Sequence, residues 1–288
     1  MTEGDELGAH VSAAGGTPHA PGRAAILDAR VLQLFTKQPH RWAEREVSEE
    51  EAMAFRTERT ARGIRVAASH DSYLINLASP DPGLLARSRE SFAAELRRSV
   101  DLGLDFLVTH PGNATDGHRK AGTDRNAAAI SAALDAVPGP TRVLLEGTAG
   151  TGNSLGSTFQ ELTSIMVAVA DRHPDRVGLC LDTCHLWAAG YDLHHLDDVL
   201  DALDRCTGLQ HLKLLHLNDS ATPLASRRDR HAHIGEGAIG HTAFRAIMCH
   251  PALYAVPKVI ETPKDDDAVL ADRSNLGRLR AYRAEGAV

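Results

Sequence analysis

Six short apolar runs in this chain each lead into a histidine or a carboxylate. The six residues are His70, His110, Glu146, Asp182, His216 and Glu261. Imidazoles and carboxylates mixed in this way form a ligand set that divalent metals favour. One polar residue at a strand end commonly does no more than satisfy nearby backbone groups. Six of them, each after a separate apolar run, predict a metal site.

The apolar runs indicate which elements bring these residues together. With two earlier runs, which end at His10 and Phe35, the strand candidates begin near residues 7, 31, 64, 105, 142, 177, 212 and 257. Most of the intervals are about 35 residues, which is enough for a strand, a helix and two loops. The runs are continuously apolar rather than alternating, as is typical of parallel strands buried on both faces.

Helical patterns occupy the segments between the strand candidates. We expect helices over residues 49–62, 82–102, 126–137, 158–172, 196–205 and 242–249. Ser48 and Glu51 form a capping box at the start of the first helix, and Gly103 ends the second. Strands and helices that alternate in this way predict an α/β fold, the (β/α)8 TIM barrel. We expect residues 1–288 to form one domain, with the metal site at the C-terminal mouth of the strands.

Length and composition agree with this fold and argue against several classes of protein. The 288 residues suit a barrel, which typically needs about 250. No apolar run approaches the roughly 20 residues of a membrane span, and residues 1–6 are acidic, without the apolar core of a signal peptide. The cysteines have neither metal-site nor disulfide-framework spacing; they are Cys180, Cys184, Cys206 and Cys249. We therefore expect reduced thiols in a cytoplasmic protein.

The formal charge of −7 argues at first against a nucleic-acid partner, because phosphate binding normally requires a basic face. Three bound zinc ions would add six positive charges, bring the total to −1 and concentrate positive charge at the mouth. The chain also has 16 histidines, an unusually large number of the commonest metal ligand. Net charge therefore leaves a nucleic-acid partner open.

Two further stretches contain candidate ligands. His185 follows Asp182 by three residues, so both side chains can face one cluster from an opening helical turn. Asp229 and His231 alternate in a long loop after the seventh strand, so in extended backbone they point in the same direction. These residues predict that the metal cluster extends beyond the six strand ends.

The chain resembles the endonuclease IV family, the zinc-dependent apurinic/apyrimidinic (AP) endonucleases, also called AP endonuclease family 2. The resemblance runs from GAHVSAAGG at residues 8–16 to ETP at 261–263. Between them the matching segments are FTK at 35–37, HDSYLINL at 70–77, HPG at 110–112, TAG at 148–150, LDTCH at 181–185, AAGYD at 188–192, HLNDS at 216–220, DRH at 229–231 and IGEG at 234–237. The set in this order is highly specific, although no single segment is.

The resemblance implies a centre of three zinc ions per chain held by nine residues. One ion would be held by His70, His110 and Glu146, with Glu146 bridging to a second ion. Asp182, His216 and Glu261 would complete the second site. The third and more exposed site would consist of His185, Asp229 and His231.

The activity that the resemblance implies is DNA repair: cleavage of duplex DNA 5′ to an abasic site, leaving a 3′-hydroxyl and a 5′-deoxyribose phosphate. Phosphodiester hydrolysis needs hydroxide near neutral pH and stabilisation of charge on the attacking and leaving oxygens, and clustered metals supply both. Glu146 and Glu261 are the candidate catalytic residues. Glu261 would orient or deprotonate the hydroxide that attacks the phosphorus in line, and the third zinc ion would stabilise the leaving oxygen. We expect a monomer without membrane contact.

Candidate DNA contacts follow from the same resemblance. The family inserts loop side chains into the duplex, which kinks the DNA and extrudes the abasic nucleotide. Tyr73 and Leu74 match two of the inserting positions. His40 stands where the family usually has arginine, and Arg41 lies beside it.

A few other positions bear on the site. Gly147 and Ala221 stand where the family usually has asparagine and a basic residue, and neither departure removes a predicted ligand. His10, at the first strand end, is a candidate to contact either a metal ligand or DNA. His233 is expected to act beside the cluster rather than as a ligand.

A sugar isomerase or epimerase of the xylose-isomerase-like barrels is the main alternative. Its one or two divalent metals would be held equally well by Glu146, Asp182, His216 and Glu261 alone. The discriminating residues are His70, His110, His185, Asp229 and His231, and all five are present. A third possibility is a metal-loaded barrel that binds DNA lesions without cleaving them. That function would require a lost catalytic ligand, and none is missing from the sequence.

Overall fold

The computed structural model of this chain describes residues 6–264 and 266–285. Within these residues eight parallel strands form a closed barrel in sequential order, and the last strand pairs with the first. The strands are β1 Leu7–His10, β2 Val31–Phe35, β3 Val66–His70, β4 Phe106–Thr109, β5 Arg142–Glu146, β6 Val177–Asp182, β7 Leu212–His216 and β8 Lys258–Ile260. The predicted (β/α)8 barrel is confirmed. Residues 1–5, which supply most of the acidic N-terminus, lie outside the described part.

Helices surround the barrel. In the described residues they are α1 Ala20–Ile26, α2 Glu49–Ala61, α3 Pro82–Leu102, α4 Arg119–Ala136, α5 Phe159–Ala170, α6 Thr183–Ala189, α7 Leu196–Cys206, α8 Gly240–Cys249 and α9 Ala268–Glu285. None of the helices within 6–264 and 266–285 combines the length and apolar character needed to cross a membrane. The four cysteines, all within these ranges, are free thiols.

Five of the six predicted helices have ends within two residues of the expected ones, and α4 is the exception. It begins at Arg119, seven residues before the predicted start, because its first two turns carry charged and small residues without an apolar stripe. α1 and α9 were not predicted. α1 has Pro21 and Gly22 in its first turn, where proline is tolerated but the pattern suggests a turn. α9 is rich in arginine, and few apolar residues mark its buried face.

A layer of apolar side chains fills the barrel interior below the mouth. It consists of Val31, Ala68, Val108, Leu144, Cys180, Leu214 and Val259, one from each of β2 to β8. Because side chains alternate between the two faces of a strand, the residue two positions further on points inward again. From β3 to β8 those residues are His70, His110, Glu146, Asp182, His216 and Glu261. The barrel therefore places the six predicted strand-end ligands in one polar layer directly above an apolar one.

The same alternation places Gln33 of β2 and His10 of β1 in the polar layer. On β1 the position below His10 is Gly8. A Cβ atom there would lie 1.6 Å from the carbonyl oxygen of Val31, so a larger residue would force β1 away from β2. Glycine at this position therefore permits the close approach that brings His10 beside Gln33, its register partner.

A buried carboxylate fixes the long loop after β7. Asp219–Ser220 and His231–Ala232 pair as a short antiparallel hairpin. Asp219 is fully buried. It accepts hydrogen bonds of 2.7–3.2 Å from the backbone N–H groups of Ser220, Gly235, Gly237, Ile239 and Gly240. One side chain thus satisfies donors along the segment that follows His231 and holds this segment against the hairpin.

The Asp219→Asn variant should lose about 3 kcal/mol of unfolding free energy, because it weakens charge-assisted hydrogen bonds and turns an amide NH2 toward buried N–H donors. Urea denaturation measures the change. The exposed Asp201 of α7 provides a control, since Asp201→Asn should change stability by less than about 0.5 kcal/mol. Equal effects of the two variants would contradict the role assigned to Asp219.

Candidate metal centre

Glu146, at the end of β5, lies at the centre of the predicted ligands and is fully buried. Its Oε2 atom lies 3.0 Å from His70 Nε2 and 3.4 Å from His110 Nε2. Its Oε1 atom lies 3.0 Å from His216 Nδ1 and 3.3 Å from His185 Nδ1. The two oxygens of one carboxylate therefore face different ligand nitrogens, those of His70 and His110 on one side and that of His216 on the other, which is the geometry that a bridging ligand requires.

The second group combines two strand ends with the first turn of a helix. Asp182 is the N-cap of α6, where its Oδ1 atom accepts a hydrogen bond from the His185 N–H group at 3.0 Å. Its Oδ2 atom lies 4.0 Å from His216 Nδ1, and Glu261 Oε2 lies 3.3 Å from the same nitrogen. Together with Glu146, these three residues offer ligand atoms that all lie within 4.8 Å of one another. Capping the helix thus also orients Asp182 toward the centre.

The third group lies nearer to solvent. Asp229 Oδ2 is 3.2 Å from His185 Nε2, and Asp229 Oδ1 is 3.2 Å from His231 Nε2. Half of the Asp229 side chain, 50%, is exposed. Asp182 Oδ2 lies 3.7 Å from His231 Nε2, and the Cys184 sulfur lies within 4.8 Å of the ligand atoms of Asp229 and His231. The structure thus brings all nine predicted residues to the mouth. It groups His185 and His231 with Asp182, and Asp229 and His231 with Cys184, rather than placing His185, Asp229 and His231 in one set.

Four histidines of the centre each have one ring nitrogen beside an oxygen that can only accept a hydrogen bond. The pairs are His70 Nδ1 with the Asp71 carbonyl (3.0 Å), His185 Nδ1 with the Gly147 carbonyl (2.8 Å), His216 Nε2 with Gln33 Oε1 (2.9 Å) and His231 Nδ1 with the Glu261 carbonyl (3.1 Å). In the neutral imidazole that nitrogen must carry the hydrogen, so the opposite nitrogen has a free lone pair. The opposite nitrogens all face carboxylates of the centre. This is how metal-ligating histidines are held.

The charge balance of the centre also fits bound cations. Burial by itself would lower the pKa of His70, but its hydrogen bond with Glu146 and the negative charge of that carboxylate raise the pKa to about 9. The same competition raises the pKa of His216 and of His231 to about 9. Conversely, burial would raise the pKa of Glu146, but His216 and neighbouring histidines hold it well below its usual range. Protons on histidine therefore supply positive charge where the nitrogen and oxygen donors suit divalent ions.

The candidate DNA contacts lie on the rim beside the centre. Tyr73 is 58% exposed, and its ring centroid lies 5.0 Å from that of the exposed His40; we call these two residues the rim pair. Phe35 lies beneath the pair, 5.4 Å from the Tyr73 ring and 5.9 Å from the His70 ring. Leu74 is partly buried. Aromatic contacts thus connect the exposed rim directly to a predicted metal ligand.

The loop that carries the rim residue His40 is anchored by ion pairs. Lys37 donates hydrogen bonds of 2.9 Å to Glu44 Oε1 and to the carbonyl oxygen of Arg41. Arg98, buried on α3, donates to Glu44 Oε2 at 2.7 Å. Because Glu44 is tied to both cations, the exposed Arg41 and His40 lie on a loop with a defined path.

Two cavities open next to the rim pair. One has a volume of about 360 Å³ and contains predicted ligands in its wall together with the neutral side chains of Asn76, Asn113, Thr151 and Ser154. The other, of about 820 Å³, is lined by the cationic side chains of Lys37, Arg45 and Lys264. The first cavity gives access to the centre. In the second, each cation is paired with a carboxylate: Lys37 with Glu44, Arg45 with Glu51 and Lys264 with Asp272.

Two residues whose side chains each hydrogen-bond to two predicted ligands, Gln33 and Asn218, were not predicted to do so. Gln33 contacts His216 and Glu261. Asn218 donates from Nδ2 to Asp182 Oδ2 at 2.6 Å and accepts from the Glu261 N–H group at 2.8 Å. Gln33 lies inside an apolar run rather than at its end. The sequence signal that could have revealed it is its position two residues after Val31, whose side chain lies in the barrel interior.

The structure also shows which groups His10 and His233 contact. His10 contacts a predicted ligand, with its Nδ1 atom 3.0 Å from Glu261 Oε1. His233 Nδ1 lies 2.9 Å from the amide nitrogen of Asn275 on α9. These contacts place His10 in the layer around the centre and attach His233 to α9.

Comparison with known proteins identifies the family. A family model described as a xylose isomerase-like TIM barrel matches residues 22–282. The protein named "Probable endonuclease 4" from Chloroflexus aggregans is 44% identical over 280 residues, which cover 96% of each chain. The crystal structure of endonuclease IV from Thermus thermophilus superposes with a TM-score of 0.85 at 36% identity, covering 97% of this chain and 99% of that chain. The chain belongs to the endonuclease IV family. A D-tagatose 3-epimerase-like protein, 15% identical with a TM-score of 0.71, shares the fold.

The departures from the usual endonuclease IV residues leave the centre intact. Gly147 contributes its carbonyl oxygen to His185, and this contact needs no side chain. Ala221 donates its backbone N–H to the Arg230 carbonyl at 2.8 Å, next to the hairpin. At positions 147 and 221 the observed contacts are therefore made by backbone groups and do not depend on the side chain.

Metal binding should release protons and should strengthen as pH rises toward about 9. His70, His216 and His231 carry raised pKa values of about 9 in the metal-free protein, so at pH 7.5 a metal ion must displace their protons. Titration calorimetry with zinc, in buffers of different ionisation enthalpy, measures the number released. We expect more than one proton per chain at pH 7.5 and fewer at pH 9.5. Binding without proton release at pH 7.5 would contradict this charge balance.

Proposed function

We propose that this protein is a zinc-dependent AP endonuclease that cleaves duplex DNA 5′ to abasic sites during base excision repair. The observation that carries the proposal is the convergence of nine imidazole and carboxylate residues at the barrel mouth, most of them directly around the buried Glu146. The relatives named endonuclease 4 support the same reaction class. The product would carry a 3′-hydroxyl and a 5′-deoxyribose phosphate.

The metal ions and the two glutamates would have different roles at the scissile phosphate. Zinc ions, when bound, would lower the pKa of water and stabilise charge on the phosphate oxygens. We assign to Glu261 the orientation of the attacking water and the acceptance of its proton. Its Oε1 atom is held by Gln33 at 2.6 Å and by His10 at 3.0 Å, which fixes the carboxylate plane. Glu146 would hold the first two ligand groups at a constant separation.

DNA would be held by the rim and by the cavity that Lys37, Arg45 and Lys264 line. The rim pair presents two exposed rings that can stack on bases or fill the gap left at an abasic site. Extrusion of the nucleotide costs less where the base is already missing. The cations Lys37, Arg45 and Lys264 line the adjacent cavity. Each is paired with a carboxylate, so the phosphate backbone would compete with Glu44, Glu51 and Asp272 for them.

The isomerase alternative is supported less well. Glu146, Asp182, His216 and Glu261 would suffice for it. The remaining five ligand residues would then be unexplained. The similarity to a D-tagatose 3-epimerase-like protein concerns the fold, which hosts many unrelated reactions.

The direct test is incubation of zinc-loaded protein with a duplex that contains one abasic-site analogue. We expect a single nick 5′ to the analogue, a 3′-end that a polymerase extends, and loss of activity after chelation that zinc restores. The same duplex with an intact base is the control. No nicking by protein with a full metal complement would contradict the proposed function, and turnover of a ketose by that protein would favour the isomerase.

The Glu261→Gln variant should lower kcat by about 10³-fold, since a positioned general base typically contributes 10²–10⁴. Zinc content measured alongside separates loss of the base from loss of metal. Glu90→Gln, at an exposed position of α3, is the matched control and should cleave normally. Undiminished cleavage by Glu261→Gln would exclude the role proposed for this carboxylate.

The rim pair should affect substrate binding rather than chemistry. Tyr73→Ala should raise KM by roughly 5- to 150-fold, which corresponds to the loss of about 1–3 kcal/mol of stacking, and His40→Ala should raise it less. Steady-state kinetics should show unchanged kcat and zinc content. His118→Ala, at an exposed position, serves as control. A fall in kcat at constant KM would assign the rim pair to catalysis instead.

A further inference from the structure

We infer that Gln33 is a positioning residue that fixes both the carboxylate of Glu261 and the ring of His216 for metal binding. Gln33 lies in the middle of β2 and is fully buried. No other residue of the first two strands contacts both of these ligands through its side chain in the described residues. The inference rests on the metal centre of the proposed function and extends it to a residue outside the ligand set.

The orientation of the Gln33 amide is determined by its neighbours. Its Nε2 atom lies 2.6 Å from Glu261 Oε1. An ionised carboxylate can only accept hydrogen bonds, so the amide nitrogen must point toward it. The amide oxygen then points to His216, with Oε1 2.9 Å from Nε2 of the ring. The reversed amide would place two acceptors against each other at Glu261.

This orientation fixes which nitrogen of His216 is available. The amide oxygen accepts, so His216 Nε2 must carry a hydrogen. In the neutral ring the lone pair is therefore on Nδ1. That atom lies 3.0 Å from Glu146 Oε1 and 3.3 Å from Glu261 Oε2. Without Gln33, either ring nitrogen could carry the hydrogen, and one of the two tautomers cannot bind metal through Nδ1.

The Gln33 amide also gives the two oxygens of Glu261 different partners. Oε1 accepts from Gln33 and lies 3.0 Å from His10 Nδ1. Oε2 remains directed at the second group, beside His216 Nδ1. Because β1, β2 and β8 are neighbouring strands of the closed barrel, these contacts also link the first strands of the chain to the last. A glutamine supplies the donor and the acceptor together, which neither glutamate nor methionine can do.

Two variants of Gln33 and one control test the inference. Gln33→Met keeps length and burial but removes both hydrogen bonds. Gln33→Glu can still accept from His216 but, when ionised, repels Glu261. Thr141→Val is the control. It removes a buried hydrogen bond of 2.7 Å to the Leu104 carbonyl from a position just before β5, at the end of the strand away from Glu146. Its effect shows what the loss of a buried hydrogen bond does to the fold alone. Unfolding free energy is measured for all three variants.

Zinc affinity is measured by competition with a chelator, and the His216 tautomer by ¹⁵N NMR of the zinc-loaded protein. We expect Gln33→Met to bind one zinc ion about 10- to 100-fold more weakly, the range typical of losing a partner of a metal-ligating residue. The other zinc ions should bind as in the wild type, and kcat for abasic DNA should fall with little change in KM. Gln33→Glu should weaken the same ion. Thr141→Val should retain wild-type zinc affinity.

The outcomes separate the inference from the proposed function. If the wild type binds zinc and cleaves abasic DNA while Gln33→Met and Gln33→Glu keep wild-type zinc affinity, the inference is overturned and the proposed function stands. Equal weakening by Thr141→Val would also overturn it, because the effect would then be general to the fold. A wild type that binds no zinc would overturn the proposed function itself.

Discussion

Buried negative charge at the barrel mouth is the constraint on which the rest of the structure depends. Glu146 and Asp182 are fully buried, and Glu261 lies close beside them. Carboxylates removed from water are costly unless a positive charge and hydrogen bonds compensate them. In the metal-free protein, histidines with raised pKa values supply that charge. The same donor atoms, grouped within 4.8 Å of one another, are those that the proposed divalent ions would use in place of the protons.

The strand-end residues and the loop residues of the site are held in place by different interactions. The strand-end ligands are positioned by the alternation of strand side chains above a packed apolar layer, and core packing makes that layer rigid. Asp229 and the rim pair lie on loops. Polar contacts through Asp219 hold the segment that follows His231, and those through Glu44 hold the loop of His40. Substitutions at the rim, such as histidine at position 40, can therefore alter the proposed DNA contact without disturbing the predicted metal ligands.

Sequence patterns predicted the barrel because each strand is a compact apolar run. They also singled out residues that the structure brings together at the mouth, because most of these residues end such a run. They did not predict the early start of α4, whose first turns carry no apolar stripe, or α9, whose arginines obscure its buried face. Gln33 was missed for a different reason. Its partners His216 and Glu261 lie more than 180 residues away in the chain, and the staggered register that brings them together is visible only once the barrel closes.

Crystals grown with zinc and measured on both sides of the zinc absorption edge would test the central claim most directly. The account predicts three anomalous peaks. One should lie among His70, His110 and Glu146, the second among Glu146, Asp182, His216 and Glu261, and the third among His185, Asp229 and His231. A single peak, or no peak beside Glu146, would contradict the account, because the account requires the buried Glu146 carboxylate to bridge two ions.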